Sequence, residues 1–117
     1  MDPRIANLPP NHPRRRMLEG LEARQSDPSW VYAEVERRAQ ANLDAFANTR
    51  GYDGILSACT YVSSTNPKFA SEAQQCVALR DATWNALYTI QADVLAGTRP
   101  LPTVEQTLSE LPALVWA

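Results

Sequence analysis

A chain of 117 residues is one small domain's worth, enough to bury a modest core but without room for a separate catalytic domain. Hydrophobic residues at 44% and charged residues at 21% exclude wholesale disorder. A net charge of −2 argues against a general nucleic-acid-binding surface, and only four glycines argue against a turn-rich β-sandwich. No run of about 18 apolar residues is present, so no membrane-spanning helix is expected.

Prolines gather at the two ends: Pro3, Pro9, Pro10 and Pro13 in the first segment, Pro100, Pro102 and Pro112 in the last. Between Pro28 and Gly97 only Pro67 interrupts. Proline breaks helix interiors and suits extended chain, so the layout predicts a helical middle between two extended, proline-rich arms. Residues 1–12 read as irregular and carry no apolar core of a secretory signal. Pro13, after Asn11 and His12, reads as the first position of a short amphipathic helix reaching Gln25 and built on Met17, Leu18 and Leu21. Gly20 weakens that helix.

Asp27 and Pro28 form a helix start, the carboxylate taking backbone amides and the proline having none to waste. From there Val31, Val35, Ala39, Leu43 and Phe46 recur at helical steps and make one apolar stripe, with Glu34, Arg37, Arg38, Asn42 and Asp44 opposite. Glu34 and Arg38 stand in the favoured i,i+4 order. Gly51 reads as the stop and Asp53 as the next cap, for a short helix on Ile55, Leu56, Cys59 and Val62. Asn66 and Pro67 repeat the cap-plus-proline start. A long helix follows to Ala96, apolar on more than one face and so expected at the centre, with Gly97 as its stop. Thr103 and Gln106 form a capping box for a last short helix ending before Pro112. The expected fold is all-α: a small bundle of two long and two or three short helices, with residues 1–27 as a basic arm and short helix that dock a partner, and residues 28–117 as the helical module.

Candidate chemistry is thin. His12 is the only histidine and lies in the arm, away from any carboxylate cluster, which leaves no base for a triad or dyad. Cys59 and Cys76 lack the close second ligands of a zinc site and read as free, mostly buried thiols. No phosphate-cradling glycine loop occurs. The carboxylates Glu34, Glu36, Asp81 and Asp93 read as solvated helix surface. No catalytic, cofactor-binding or metal-binding residue is therefore assigned, and a small enzyme or nucleic-acid-binding regulator is the weakest of the readings. Arg80, four residues before Trp84, is expected to stack on that indole or to pair with Asp44 or Asp53. The basic run Arg14, Arg15 and Arg16, joined by Arg4 with no acid between, suits an acidic protein neighbour. The candidate partner-binding residues are Arg4, Ile5, Leu8, Arg14, Arg15, Arg16, Leu114 and Trp116.

The segment from Leu43 to Trp116 resembles a recurring module of the tail-gene regions of tailed bacteriophages. The pieces that carry the resemblance are RGYD at 50–53, SACTYVSSTNPKF at 57–69, LRDATW at 79–84, GTRPLP at 97–102 and LPALVW at 111–116. The resemblance implies a small protein that contacts other tail or fibre proteins, in several copies within a symmetric assembly, with no catalytic residues to carry over. It implies a virion component at a fibre-attachment, adaptor or baseplate position, made in the host cytoplasm. The alternative is an assembly chaperone that leaves before the particle is complete. Neither reading involves nucleic acid, membrane or a small-molecule substrate. The motif residues Gly51, Asp53, Asn66, Pro67, Phe69, Arg80, Trp84 and Gly97 have structural readings as stops, caps, an anchor and a stacked pair. Trp116 is expected to tuck the tail back onto the bundle.

Overall fold

The computed structural model describes residues 26–117. Among them the chain is all-α, with no strand. Helix α1 is Pro28–Asn48, α2 is Ile55–Cys59 and runs on into a 3-10 turn Thr60–Ser63, α3 is Pro67–Leu95 and α4 is Val104–Glu110. The expected arm and short helix before Asp27, and with them Arg4, Ile5, Leu8, Arg14, Arg15 and Arg16, lie outside the described residues.

Three helices begin where side chains can hold their free amides. Asp27 Oδ1 accepts from Ser29 N–H at 3.0 Å, and Asn66 Oδ1 accepts from Lys68 N–H at 3.0 Å and Phe69 N–H at 3.3 Å. Thr103 Oγ1 accepts from Gln106 N–H at 3.0 Å, the first half of the expected capping box. Both long helices stop on glycine in the left-handed region, Gly51 at φ +88° and Gly97 at φ +77°. Each stop closes the same pair of hydrogen bonds: Gly97 N–H to Val94 C=O and Thr98 N–H to Asp93 C=O, Gly51 N–H to Asn48 C=O and Tyr52 N–H to Ala47 C=O. This returns otherwise orphaned carbonyls to donors.

Asp53 is not the cap of α2. The N-cap is Gly54, which brings no side chain. The carboxylate arrives from α1 instead: Asp44 Oδ1 accepts the Ile55 N–H at 2.9 Å and is held by Gln40 Nε2 at 3.2 Å. A Cβ on Gly54 would sit 2.9 Å from that oxygen, so glycine here makes room for the cap.

The predicted α1 stripe is the spine of the core. Val31 and Val35 pack with Leu87 and Val104, joined by Leu101, Leu108 and Leu111. Leu43, Phe46 and Ala47 pack with Ile55, Ala58 and Cys76. Trp84 touches both clusters and ties them together. Helix α3 therefore meets α1, α2 and α4 as a central element. Beyond Gly97 the chain is clamped by Arg99, whose Nη1 and Nη2 donate to the two Glu110 carboxylate oxygens at 2.9 Å each.

Two expectations about side chains are corrected. Arg80 neither stacks on Trp84 nor pairs with Asp44 or Asp53: among the described residues the cation over an indole is Arg50 on Trp116, and Asp44 is already engaged by Ile55 and Gln40. Phe69 is no buried anchor. It is half out in solvent, its ring edge-on to Tyr61 at 5.7 Å.

Candidate functional site

The C-terminal segment after α4 has no regular structure, yet it is seated on the bundle. Trp116 stacks on Phe46 with ring centroids 4.1 Å apart and an interplanar angle of 19°. Its indole N–H donates to Thr49 Oγ1 at 2.9 Å, and the Arg50 guanidinium lies 4.8 Å from the ring centroid. The Ala117 N–H donates to Gln75 Oε1 at 2.8 Å, which fixes the tail on α3 as well. Leu114 packs on the same cluster. Of the residues expected to meet a partner, Leu114 and Trp116 are thus half-buried against their own fold, while Val115 between them faces solvent.

Beside this corner sits a buried carboxylate. Glu72 is 4% exposed and receives two charge-assisted or polar donors: Arg50 Nη1 at 2.6 Å from Oε2, and the Tyr52 hydroxyl at 3.1 Å from Oε1. Arg50 and Tyr52 flank the Gly51 turn, so the left-handed glycine sends both side chains to one carboxylate on α3. Burial pushes the Tyr52 phenol above its ordinary range, and its hydrogen bond to Glu72 pushes it further. The sequence held a signal for this site that the stripe analysis passed over: Glu72 lies three residues after Phe69 and four before Cys76, an acid on an apolar face.

Tyr52 continues into a row of aromatic rings. Its ring is 5.5 Å from that of Tyr61, which is 5.7 Å from Phe69. The outer members of the row are exposed, together with Val62 and Leu56. The row stands on the α2 and 3-10 segment and the first turn of α3, the SACTYVSSTNPKF stretch. Apolar and aromatic side chains left at the surface on a rigid base are the chemistry of protein contact.

A second open face lies between α1 and α3. Pro28 and Tyr32 of α1 face Tyr88, Gln91, Ala92, Val94 and Leu95 of α3, and the groove runs on through Glu36 and Gln40 to Trp84 and Arg80. The numbers rise along one wall and fall along the other, so the two helices are antiparallel here.

Cys59 and Cys76 are both free thiols, half-buried and buried respectively. Burial raises both, and Cys76 is pushed up to about 11. Such thiols stay protonated and unreactive at neutral pH. Among the described residues no group of three or more His, Cys, Asp or Glu side chains is placed to hold a metal ion, and no helix is long and apolar enough to cross a membrane.

No protein family, curated protein or solved structure matches this chain.

Proposed function

We propose that this chain is a tail-associated structural component of a bacteriophage virion, acting by protein–protein docking at a fibre-attachment, adaptor or baseplate position. The resemblance of residues 43–116 to tail-region proteins supplies the setting. The observation that carries the docking role is the exposed row of Tyr61, Val62 and Phe69. It is built from the central piece of that resemblance and propped from beneath by Tyr52, Glu72 and Arg50. Aromatic side chains held rigidly lose little conformational entropy on binding, which favours them as anchors. Several copies would follow the symmetry of the tail.

A mass-spectrometric inventory of purified particles of the encoding phage tests the reading. Peptides of this chain at a stoichiometric copy number support it. If the chain is missing from particles but co-purifies with a fibre or tail protein from the infected-cell lysate, it is an assembly chaperone and the virion reading is overturned. Tyr61→Asp with Phe69→Asp should abolish incorporation while the circular dichroism of the protein is kept.

A further inference from the structure

We infer that the C-terminal segment 111–117 is a releasable clasp for the aromatic row, its seated form holding Tyr61 and Phe69 in place through Trp116, Arg50, Glu72 and Tyr52. This regulation of the row rests on the docking role proposed above. The path is continuous and made of direct contacts. The Trp116 ring carries the Arg50 guanidinium 4.8 Å from its centroid. Arg50 Nη1 donates to Glu72 Oε2 at 2.6 Å, and Glu72 Oε1 accepts from the Tyr52 hydroxyl at 3.1 Å. The Tyr52 ring meets Tyr61 at 5.5 Å, and Tyr61 meets Phe69 at 5.7 Å. Helix α3 repeats the same order along one side. Phe69, Glu72 and Gln75 stand three residues apart, so successive turns bear the row, the buried carboxylate and the acceptor of the Ala117 N–H.

The clasp can leave without unravelling a helix. Leu111 N–H bonds back to Leu108 C=O at 3.3 Å, and the next amide of the tail with a partner among the described residues is that of Ala117, on Gln75. Residues 111–114 wall an open hollow of about 350 Å³ beside Leu43 and Thr83, so this stretch is not packed down along its whole length. The hold is concentrated at the end, in the Phe46 stack, the Thr49 hydrogen bond and the Ala117 amide. An element fastened by so few groups opens at a free energy below that of global unfolding.

Release acts on the row through Glu72. The Arg50 side chain is 40% exposed, and without the indole its guanidinium is drawn toward water. The Glu72 side chain is only 5% exposed and needs both donors, because a buried carboxylate that loses its charged partner is costly. Glu72 then turns, Tyr52 loses its acceptor, and Tyr61 and Phe69 lose the ring that backs them. The seated tail is thus the docking-competent state.

Aromatic NMR of the free full-length protein tests the clasp, with no partner needed. Trp116→Ala should shift the ring signals of Tyr52, Tyr61 and Phe69 and remove the ring-to-ring NOEs between Tyr52 and Tyr61, while the signals of Val31, Leu87 and Val104 stay in place. Trp116→Phe, which keeps a ring on Phe46, should retain part of the row's pattern. Arg50→Lys keeps a charge for Glu72 but loses the planar stack, so in that background Trp116→Ala should add little. If Trp116→Ala does not fold, Thr49→Val, which removes only the acceptor of the indole, should give the same row shifts in smaller measure. Row signals that stay while those of Phe46 move overturn the proposal, as does a full, additive Trp116→Ala effect in the Arg50→Lys background. Shifts spread evenly through both core clusters overturn it too, and leave Trp116 a packing residue only. If the row ignores the tail while Tyr61→Asp with Phe69→Asp still blocks incorporation, the clasp falls and the docking reading stands. If the row follows the tail but particles lack the chain, the virion reading falls and the coupling stands.

Discussion

Trp116, the penultimate residue, lies flat on Phe46 of α1 at 4.1 Å, and its indole N–H reaches Thr49, the C-cap of the same helix. The C-terminal end of α1 is thereby closed by the tail that follows α4. Trp116→Ala should cost about 2 kcal/mol, below the range for a fully buried tryptophan because the side chain is only half-buried. Thr49→Val, which keeps the shape and removes the acceptor, should cost about 1 kcal/mol. Urea unfolding of the two variants, with unchanged m-values, checks both figures.

Asp44, not Asp53, starts α2, and Gly54 admits it. Asp44→Ala should lose about 1 kcal/mol or more as a missing cap, whereas Asp53→Ala should fall within about 0.5 kcal/mol of the parent. Gly54→Ala should be at least as damaging as Asp44→Ala, since the added methyl displaces the carboxylate. In the Asp44→Ala background Gly54→Ala should cost much less. A double-mutant cycle measures that coupling.

Glu72 is buried under Arg50 and Tyr52, and removing it leaves both without their acceptor. Glu72→Ala should cost about 2 kcal/mol. Tyr52 carries a pH signature. Its folded-state pKa is raised, so the folded chain holds the phenolic proton more tightly than the unfolded chain does. That stability is complete below the ordinary tyrosine range and declines as pH rises through it. Unfolding measured from pH 9 upward should show a decline that Tyr52→Phe reduces.

Glu34 on α1 accepts from Arg37 and from Arg38 Nε at 2.9 Å, and these hydrogen bonds, that of Arg37 foremost, hold its carboxyl down at about 2. Glu110, clamped by Arg99, is lowered for the same reason. A depressed carboxylate stabilises above its unfolded value and loses that contribution as pH falls toward the folded one. Glu34→Gln and Glu110→Gln should therefore each lower stability slightly at pH 7 and flatten the acid limb below about pH 4.5 by the same amount, both effects shrinking as salt screens these pairs. Carboxyl chemical shifts followed by NMR report the two titrations directly.

Cys76 is fully buried with its thiol raised to about 11. Iodoacetamide at pH 8 should leave it unmodified in the folded protein and alkylate it at once in denaturant. Rapid native labelling of Cys76 would show that α3 opens locally around it.

Helix positions, three of the caps and the two glycine stops were legible in the sequence because their physics is local. A cap, a proline at the first position and a left-handed glycine each act within four residues of one another. The α1 stripe was equally legible, since a helix presents every third or fourth residue to one side, whatever lies opposite. The sequence by itself thus determined an all-α fold and, among the described residues, where three of the four helices start and where the two long ones stop. What lies opposite was decided only by the tertiary structure. Asp44 replaced Asp53 because a carboxylate anchored on a neighbouring helix can approach a glycine more closely than a side chain in the loop can turn back. Arg50 rather than Arg80 found the indole because the Gly51 turn and the returning tail meet there, 66 residues apart in sequence for Arg50 and Trp116. Glu72 became buried because the same turn delivered an arginine and a tyrosine to it together. Contacts between distant segments depend on how faces are rotated and packed against each other, and no spacing within one helix carries that information.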